Sequence, residues 1–284
     1  MTLASLPFHK MHGLGNDFVI IDARENPCEL SPEGVKTIAD RQQGIGCDQV
    51  ILIELPPSKS YLRDVDVFMH IFNADGSKVY SCGNATRCVA NLIMLESAQK
   101  SVKIAIGDAT LTAERLDNGS IAVDMGCPKF DWRDIPLSSE QNTLDFNIQN
   151  CPFKNLTAVN MGNPHCVIFV DDADAIALDE IGPILEYHNL FPERANIGIA
   201  QIKNAGVLRL RVWERGSGIT QACGSGACAA AVAAHRRDLT GRKVIVELDG
   251  GNLTIDWHTD NHVMMTGPTA TSFKGTFNTS LIRC

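Results

Sequence analysis

The strongest structural signal in the chain is Glu214-Arg215-Gly216-Ser217-Gly218-Ile219-Thr220-Gln221-Ala222-Cys223-Gly224-Ser225-Gly226-Ala227-Cys228, which continues into Ala229-Ala230-Ala231-Val232-Ala233-Ala234-His235. The part after Cys223 is alanine-rich and apolar, which predicts a helix that is enclosed on all sides. Ser225 is predicted to be the N-cap of this helix, and the neighbouring glycines allow a ligand to approach the backbone closely. Cys223 would then lie in the positive field of unpaired N–H groups, which favours the thiolate and predicts a lowered pKa.

The same construction occurs earlier, in Asn73-Ala74-Asp75-Gly76-Ser77-Lys78-Val79-Tyr80-Ser81-Cys82-Gly83-Asn84-Ala85-Thr86-Arg87-Cys88, which continues into Val89-Ala90-Asn91-Leu92-Ile93-Met94-Leu95. An offset of 141 residues, from Cys82 to Cys223, aligns the two segments. The offset also pairs Gly83 with Gly224, the predicted cap Asn84 with Ser225, and Asn73 with Glu214. Apolar segments at 67–72 and 207–213 precede the two motifs, and both are predicted strands. Each half of the chain is therefore predicted to contain a strand, a turn, a cysteine and a helix.

The composition narrows the class of protein. The chain has 284 residues, enough for two domains, with 44% hydrophobic and 20% charged residues. Its net charge of -8 argues against a nucleic-acid partner, because no basic patch is available to neutralise phosphates. We expect a cytoplasmic protein with no membrane partner, since no signal peptide and no apolar run of about 18 residues is found. The ten cysteines are then expected to be thiols, and their spacing predicts neither a metal site nor a metal cofactor.

The order of strand and turn signals predicts a duplicated fold. Residues 8–22 are predicted to form two strands joined by a glycine turn at Asn16, and Ser31 and Pro32 mark the start of a helix over 31–40. Further strands are predicted at 50–53, 101–106, 110–114, 121–125, 243–248, 252–257 and 262–266. Segment 159–171 parallels 11–22, and 195–201 parallels 44–49 through a shared Ile-Gly pair.

We place the domain crossing in the loop-rich stretch that begins at Gly126-Cys127-Pro128. The predicted domains are 1–126 and 127–267, with a C-terminal tail at 268–284 that returns to the first domain. The predicted fold class is α+β, with two pseudo-symmetric domains. Each domain is expected to be a curved, mostly antiparallel sheet or barrel around a central apolar helix, and the two are expected to face each other across a cleft.

Two related cysteines suit one kind of chemistry. If a thiolate removes a proton from one face of a carbon, an opposed thiol can deliver a proton to the other face, which inverts the stereocentre. The acidic C–H must lie beside a carboxylate or carbonyl group. The N–H groups of four residues at the two helix starts are predicted to stabilise the developing negative charge, namely Gly83, Asn84, Gly224 and Ser225.

Taken singly, these residues have simpler interpretations. A cysteine is more often a small buried apolar residue than a nucleophile, and a cysteine at a glycine-rich helix start is as readily structural as functional. His165 alone is typical of a core or loop position, and Glu214 and Arg215 alone are typical of a solvated strand end. The matched pair of Cys82 and Cys223 favours a functional interpretation.

At these residues the chain resembles the diaminopimelate epimerase family, whose members interconvert LL- and meso-diaminopimelate without a cofactor. The resemblance covers nearly the whole chain and rests on several motifs in order: His12-Gly13-Leu14-Gly15-Asn16-Asp17-Phe18, Asn73-Ala74-Asp75-Gly76-Ser77, Cys82-Gly83-Asn84, Met161-Gly162-Asn163-Pro164-His165-Cys166, Arg194-Ala195-Asn196-Ile197-Gly198, Glu214-Arg215-Gly216, Ala222-Cys223-Gly224-Ser225-Gly226 and Met265-Thr266-Gly267-Pro268.

The resemblance implies roles for particular residues. Cys82 and Cys223 match the acid/base pair, and His165 and Glu214 are expected to tune the thiols. The positions that match substrate-binding residues are Asn16, Gln49, Asn73, Asn163, Asn196, Glu214 and Arg215. Arg215 can bind the carboxylate at the non-reacting end of diaminopimelate by a bidentate contact. A homodimer is also implied, with Phe273 in the tail linked to dimerisation.

The chain departs from the usual family pattern at a few positions. Ala85-Thr86 stand where Gly-Ala is common, Cys47 replaces a frequent Phe, Ile219 replaces a frequent Glu, and Phe273 stands where Tyr is often found. Alternatives are a proline or hydroxyproline racemase of the same fold, which would leave Arg215 unexplained, and a catalytically silent amino-acid-binding protein, which would need no pair of thiols. A phenazine-type isomerase of the fold lacks the cysteine pair.

Overall fold

The computed structural model describes residues 5–57, 64–149 and 151–278. These residues fall into two compact units: unit 1 takes its residues from 1–123 and 268–284, and unit 2 comprises 124–267. The end of the predicted tail, 279–284 with Cys284, lies outside the described residues. In the ranges that are described, no helix is both long enough and apolar enough to cross a membrane.

Unit 1 is built on a mixed, mostly antiparallel set of strands. The strands are β1 (Ser5–Gly13), β2 (Asn16–Asp22), β3 (Gln49–Glu54), β4 (Val67–Asn73), β5 (Lys78–Val79), β6 (Ser101–Ile106), β7 (Ala109–Arg115), β8 (Ile121–Asp124) and β17 (Ala270–Asn278). Pairs β2/β3 and β4/β6 are parallel. Pairs β1/β17, β1/β2, β3/β4, β4/β5, β6/β7 and β7/β8 are antiparallel. The strands that were predicted at 50–53, 101–106, 110–114 and 121–125 are confirmed as β3, β6, β7 and β8.

Unit 2 repeats this pattern of pairing. Its strands are β9 (Thr157–Asn160), β10 (Pro164–Phe169), β11 (Asn196–Asn204), β12 (Val207–Glu214), β13 (Gly218–Thr220), β14 (Lys243–Leu248), β15 (Gly251–Trp257) and β16 (Val263–Gly267). Pairs β10/β11 and β12/β14 are parallel. Pairs β9/β10, β11/β12, β12/β13, β14/β15 and β15/β16 are antiparallel. The order of parallel and antiparallel pairs matches that from β1 to β8, so the predicted duplication is confirmed.

The register corrects one of the predicted correspondences. Phe18 faces Gln49 across the parallel pair β2/β3, and His165 faces Asn196 across β10/β11, so Gln49 is the structural counterpart of Asn196. The Ile-Gly pair at 197–198 therefore lies inside β11, whereas the pair at 45–46 precedes β3. The sequence match through Ile-Gly was wrong, because two short identical dipeptides lie at different points of the repeat.

Helix α4 (Gly224–Arg236) is the centre of unit 2. Every residue from Gly224 to Ala234 is buried, and the helix contacts β9, β10, β11, β12, β14, β15 and β16. Glycine has no side chain and alanine has only a methyl group, so strands can pack closely against the helix on all sides. The prediction of an enclosed helix is confirmed.

Helix α2 (Gly83–Ser97) holds the corresponding place in unit 1, where it contacts β1, β2, β6 and β7. Its first eight residues are buried, but Leu95, Glu96 and Ser97 at its end are exposed. The prediction of a wholly apolar, enclosed helix is therefore wrong for α2. This helix carries a buried Arg87 and an exposed last turn, whereas α4 has no buried charged side chain and ends in the half-buried His235 and Arg236.

The two remaining helices differ in how clearly the sequence predicts them. Helix α1 (Pro32–Ala39) is capped by Ser31, whose side chain accepts from Gly34 N–H, so the predicted helix is confirmed. Helix α3 (Leu178–Glu186) was not predicted. It begins after Ala177 without a side-chain cap and contains Pro183, so it has neither of the usual start and continuation signals.

The tail was predicted as a short extension, and its described part is instead strand β17, paired with β1. Most side chains of β17 are exposed. Its sequence therefore lacks the alternation of apolar and polar residues that would indicate a strand. The pairing with β1 joins residues from the two ends of the chain, which local sequence signals do not report.

Candidate functional site

Cys223 itself caps α4. It has extended backbone angles, φ -116° and ψ 109°, and the helix begins at Gly224. The prediction that Ser225 caps the helix is wrong: Ser225 is the second residue of α4, and its Oγ lies 3.7 Å from Cys223 Sγ. The cysteine therefore lies directly at the N-terminal end of the helix, where the N–H groups of the first turn point outwards.

The surroundings of Cys223 hold its thiol in the protonated form. Burial raises the pKa of Cys223 well above its usual value, and the nearby Glu214 carboxylate raises it further. The Gly226 N–H and the Ser225 hydroxyl act in the opposite direction but do not prevail. The prediction of a lowered pKa is therefore wrong for this thiol, because at 4% exposure the desolvation of a thiolate outweighs the helix field.

Cys82 caps α2 in the same way. Its backbone is extended, φ -156° and ψ 96°, and its Sγ accepts from Ala85 N–H at 3.5 Å. The predicted cap Asn84 lies inside the helix instead, as its second residue. Cys82 is half-buried, in contrast with Cys223. The two cysteines thus occupy equivalent backbone positions in different environments.

Asn16 connects Cys82 with Asn84 and Asp48 in unit 1. Its Oδ1 lies 3.9 Å from Cys82 Sγ and accepts from Asn84 Nδ2 at 3.2 Å. Its Nδ2 donates to Asp48 Oδ2 at 2.9 Å, and this acceptor fixes which end of the amide faces the cysteine. Asn16 follows a two-residue turn in which Leu14 and Gly15 both have positive φ, typical of a tight hairpin.

A charged network that the sequence did not predict holds this turn. Asp17 accepts from Lys10 Nζ at 2.5 Å and from Arg41, and Lys10 also donates to the Gly46 carbonyl group. Burial alone would raise the pKa of Asp17, but the hydrogen bonds from Arg41 and Lys10 outweigh it and lower this pKa to about 2. Asp48 and Asp17 are therefore fixed acceptors beside Asn16.

Gln49 and Asn73 face each other on neighbouring strands of unit 1. They are register partners across β3/β4, and Gln49 Nε2 donates to Asn73 Oδ1 at 3.0 Å. Asn73 Nδ2 donates in turn to Ser77 Oγ at 3.1 Å. The structure thus brings together two of the residues that were predicted to bind substrate.

Unit 2 contains a second set of polar side chains. His165, 1% exposed, has its Nε2 2.8 Å from Asn163 Oδ1. Burial and then the charge of Arg215 lower the pKa of His165 to about 3, so the ring is neutral at pH 7. Because a carbonyl oxygen only accepts, Nε2 carries the proton in this arrangement.

Asn196 connects this set to the turn after β12. Its Nδ2 donates to the Pro164 carbonyl group at 2.9 Å, and its Oδ1 accepts the Arg215 backbone N–H at 2.9 Å. The exposed Arg215 side chain donates from Nη1 to the Glu193 carbonyl group, which uses one of its five N–H donors. By register, Asn196 is the counterpart of Gln49 in unit 1.

Glu186, on α3, is a structural residue of this turn that sequence reasoning missed. Its carboxylate is 2% exposed and accepts from Trp213 Nε1 at 2.7 Å and from Gly216 N–H at 3.0 Å. Arg194 Nη1 lies 3.8 Å from it. Trp213 and Gly216 flank Glu214 and Arg215, so Glu186 holds both ends of that dipeptide.

The remaining positions of interest are peripheral to these sets. Phe273, half-exposed on β17, makes an edge-to-face contact with Phe8 at 5.9 Å between ring centroids. Cys47, where the family pattern often has Phe, is buried, and burial raises its pKa to about 12. Ile219 is exposed on β13. Across the described ranges, no group of three His, Cys, Asp or Glu side chains could hold a metal ion.

Comparison with known proteins shows which family the chain is similar to. The model of the diaminopimelate epimerase family matches residues 8–130 and 157–271. The chain is 50% identical to diaminopimelate epimerase of Rhodospirillum centenum over 275 residues, covering 97% of this chain and 93% of that one. It is 49% identical to diaminopimelate epimerase of Acidiphilium cryptum over 279 residues, covering 98% and 99% of the two chains.

Among solved structures, a hydroxyproline epimerase from Agrobacterium vitis aligns with a TM-score of 0.69 at 14% identity, covering 97% of this chain and 93% of that one. At this identity the likeness concerns the fold alone. Together with the family match, it confirms the predicted fold class.

Proposed function

Because the chain belongs to the diaminopimelate epimerase family, we propose that it converts LL-2,6-diaminopimelate to meso-diaminopimelate without a cofactor, with Cys82 and Cys223 as the acid/base pair. The chain is an epimerase, and this reaction serves lysine and peptidoglycan precursor synthesis. The observation that carries the two-cysteine mechanism is that each repeat has a cysteine as the N-cap of its central helix, at equivalent positions.

The proposed reaction exchanges one proton for another. A thiolate removes the α-proton and becomes a thiol, and the electron pair of the C–H bond is delocalised into the adjacent carboxylate. The second cysteine, as a thiol, delivers its proton to the opposite face and becomes a thiolate. No proton is gained or lost overall, and the reverse reaction exchanges the two roles.

The environment of Cys223 supports this proposal. Burial and Glu214 raise the pKa of Cys223, so it is a thiol in the ligand-free protein and can act as the proton donor. Cys223 lies at the N-terminal end of α4, where the N–H groups of Gly224 and Ser225 can bind a carboxylate on the reacting carbon. Cys82 has the same relation to Gly83 and α2.

We assign the polar side chains to the ends of the substrate. Arg215 is proposed to bind the distal carboxylate, because its guanidinium group is exposed and its backbone is fixed by Asn196. The amides of Asn16, Gln49, Asn73 and Asn163 are proposed to bind the amino and carboxylate groups. A proline-type substrate has no distal amino-acid end, so it gives Arg215 no role.

We further propose that the two units are the two epimerase halves, that the protein is a cytoplasmic homodimer, and that Phe273 contributes to dimer formation. The exposed ring of Phe273 on β17, the strand that lies outside β1, supports this surface. Size-exclusion chromatography with light scattering tests it: we expect the mass of two chains for the protein and a larger monomer fraction for Phe273→Ser. A monomeric wild-type protein would refute the homodimer.

The activity is tested by incubating the freshly reduced protein with LL-diaminopimelate and separating the isomers by chiral chromatography. Proline and trans-4-hydroxyproline are assayed in parallel. We expect inversion of diaminopimelate alone. Inversion of proline or hydroxyproline without diaminopimelate turnover would contradict the proposal, and binding without any turnover would indicate a silent binding protein.

Cysteine variants test the assignment of the pair. Cys82→Ser and Cys223→Ser are each expected to reduce kcat by a factor of about 100 or more, since a hydroxyl is a far weaker acid and base partner. Cys127→Ser is the matched control, because Cys127 is exposed and lies outside both sets of polar residues. Equal activity of all three variants would remove the two cysteines from the reaction.

A further inference from the structure

Thr220 makes a short hydrogen bond to Glu214 that no role described so far uses. Thr220 Oγ1 donates to Glu214 Oε1 at 2.6 Å. The two residues belong to the antiparallel pair β12/β13, in which Thr220 faces Val212 and Glu214 faces Gly218. The hairpin therefore brings the hydroxyl beside the carboxylate, although Thr220 lies outside the set of residues that the resemblance implied.

The Glu214 carboxylate in turn acts on Cys223, because its negative charge raises the pKa of that thiol. Thr220 is therefore hydrogen-bonded to the carboxylate that acts on Cys223 within unit 2. We propose that Thr220 is a positioning residue, whose hydroxyl holds the Glu214 carboxylate against the Cys223 thiol and so keeps the proton on that thiol. This inference rests on the proposed function of Cys223.

The repeat supports a joint role for the hydroxyl and the carboxylate. In unit 1, Ile71 faces Val79 across β4/β5, just as Val212 faces Thr220 across β12/β13. The counterparts of Glu214 and Thr220 are therefore Asn73 and Val79. In unit 1 the amide of Asn73 replaces the carboxylate, and Val79 has no hydroxyl group. Asn73 is hydrogen-bonded to Gln49 and Ser77 instead. The acidic arrangement is confined to the half that contains Cys223.

The physical effect depends on where the carboxylate charge lies. A carboxylate fixed beside Sγ disfavours the thiolate, and a carboxylate that can rotate away disfavours it less. Within the described residues of unit 2, Glu214 acts on the Cys223 thiol through its charge, and Ser225 and the Gly226 N–H act on it from α4. Arg215, on the same turn, acts on His165. Loss of the Thr220 hydroxyl should therefore lower the pKa of Cys223.

The test compares Thr220→Val, Thr220→Ser and the control Thr254→Val. Valine keeps the shape and strand preference of threonine but has no hydroxyl. Thr254 is a suitable control because it lies on β15, facing Thr266, and its half-buried side chain alternates with the buried Leu253 and Ile255. For Thr220→Val we expect a fall in kcat of about tenfold with KM changed by less than about twofold, as for loss of one hydrogen bond to a charged group. Thr220→Ser should restore most of the activity.

A second measurement does not require turnover. In a Cys82→Ser background, the rate of Cys223 alkylation by iodoacetamide is followed against pH by peptide mass spectrometry. We expect the midpoint of this profile to move to lower pH in Thr220→Val and to stay in place in Thr220→Ser and Thr254→Val.

An unchanged alkylation midpoint together with unchanged kcat in Thr220→Val would overturn the proposal. So would an equal effect of Thr254→Val, since it would indicate a general effect of valine on the sheet. If the wild-type protein does not epimerise diaminopimelate, the proposed function fails, and the alkylation profile still decides whether Thr220 acts on Cys223 through Glu214.

Discussion

Gly226 lies three residues after Cys223, and its lack of a side chain leaves the space that the Cys223 thiol occupies. A Cβ at residue 226 would lie 3.2 Å from Cys223 Sγ and 3.2 Å from Val212 Cγ2. Both distances are tighter than ordinary contacts, so one neighbour must move by a few tenths of an ångström. Both neighbours are buried, but the β-branched Val212 on β12 is the stiffer of the two, so we expect the thiol to move.

This displacement gives a magnitude for Gly226→Ala. A misplacement of 1 Å at a reacting group costs a factor of about 100, so a few tenths of an ångström should lower kcat about three- to tenfold. The free energy of unfolding should rise slightly or stay the same. Alanine in place of a helical glycine contributes about 0.5–1 kcal/mol, which offsets the strain of the close contact.

The assay pairs steady-state kinetics with thermal unfolding. Gly241→Ala is the matched control, because a Cβ there meets no atom within 4 Å. We expect kcat to fall in Gly226→Ala alone, without a lower unfolding temperature. An unchanged kcat, or a fall in kcat that follows a loss of stability, would refute the reasoning that Gly226 exists to seat the thiol.

Three further substitutions test the site and its support. Glu214→Gln should lower kcat with little change in KM, since it removes the charge that keeps Cys223 protonated; an unchanged kcat with a raised KM in steady-state assays would contradict this. Glu186→Gln should lower the free energy of unfolding in urea by about 3 kcal/mol, because Trp213 and Gly216 donate to different oxygens of the carboxylate and an amide has only one oxygen. Exposed Glu180→Gln on the same helix should change it little. His165 is neutral in the folded protein and binds a proton in the unfolded chain below its ordinary pKa of 6.5, so it should reduce stability by up to about 1.4 kcal/mol per pH unit as pH falls from about 6.5 towards 3. Denaturation of the protein and of His165→Gln at several pH values checks this, and equal slopes would exclude His165 as the source.

The sequence was most informative where local chemistry settles the structure. The run of alanines after Cys223 has no polar face, so an enclosed helix is its stable arrangement, and α4 is enclosed. Ser31 and Pro32 likewise define the start of α1. The offset between Cys82 and Cys223 also predicted the duplication. The structure confirms it through the same order of strand pairs in both halves.

The errors occur where an interaction depends on distant residues. The cap prediction favoured Asn84 and Ser225 for their side chains, but the backbone makes Cys82 and Cys223 the caps. The pKa prediction for Cys223 used only the helix field. It could not include burial by strands far away in the sequence, which has the opposite sign and is larger.

The supporting residues of the site were missed for the same reason. Asn16 and Asp48 are 32 residues apart, and Glu186 and Trp213 are 27 apart, so no local pattern joins them. Each is an ordinary charged or polar residue by itself. Their roles follow only when the strands and α3 bring them beside the predicted site residues.

The most direct test of the two-cysteine account is to incubate the reduced protein with LL-diaminopimelate in D2O and to analyse each isomer early in the reaction for α-deuterium. Two separate groups handle the two protons, so the account predicts meso product with one deuterium and recovered LL substrate that is almost unlabelled. Extensive deuterium in the recovered substrate, at a rate equal to or above that of inversion, would show that one group both removes and returns the proton, and would contradict the account.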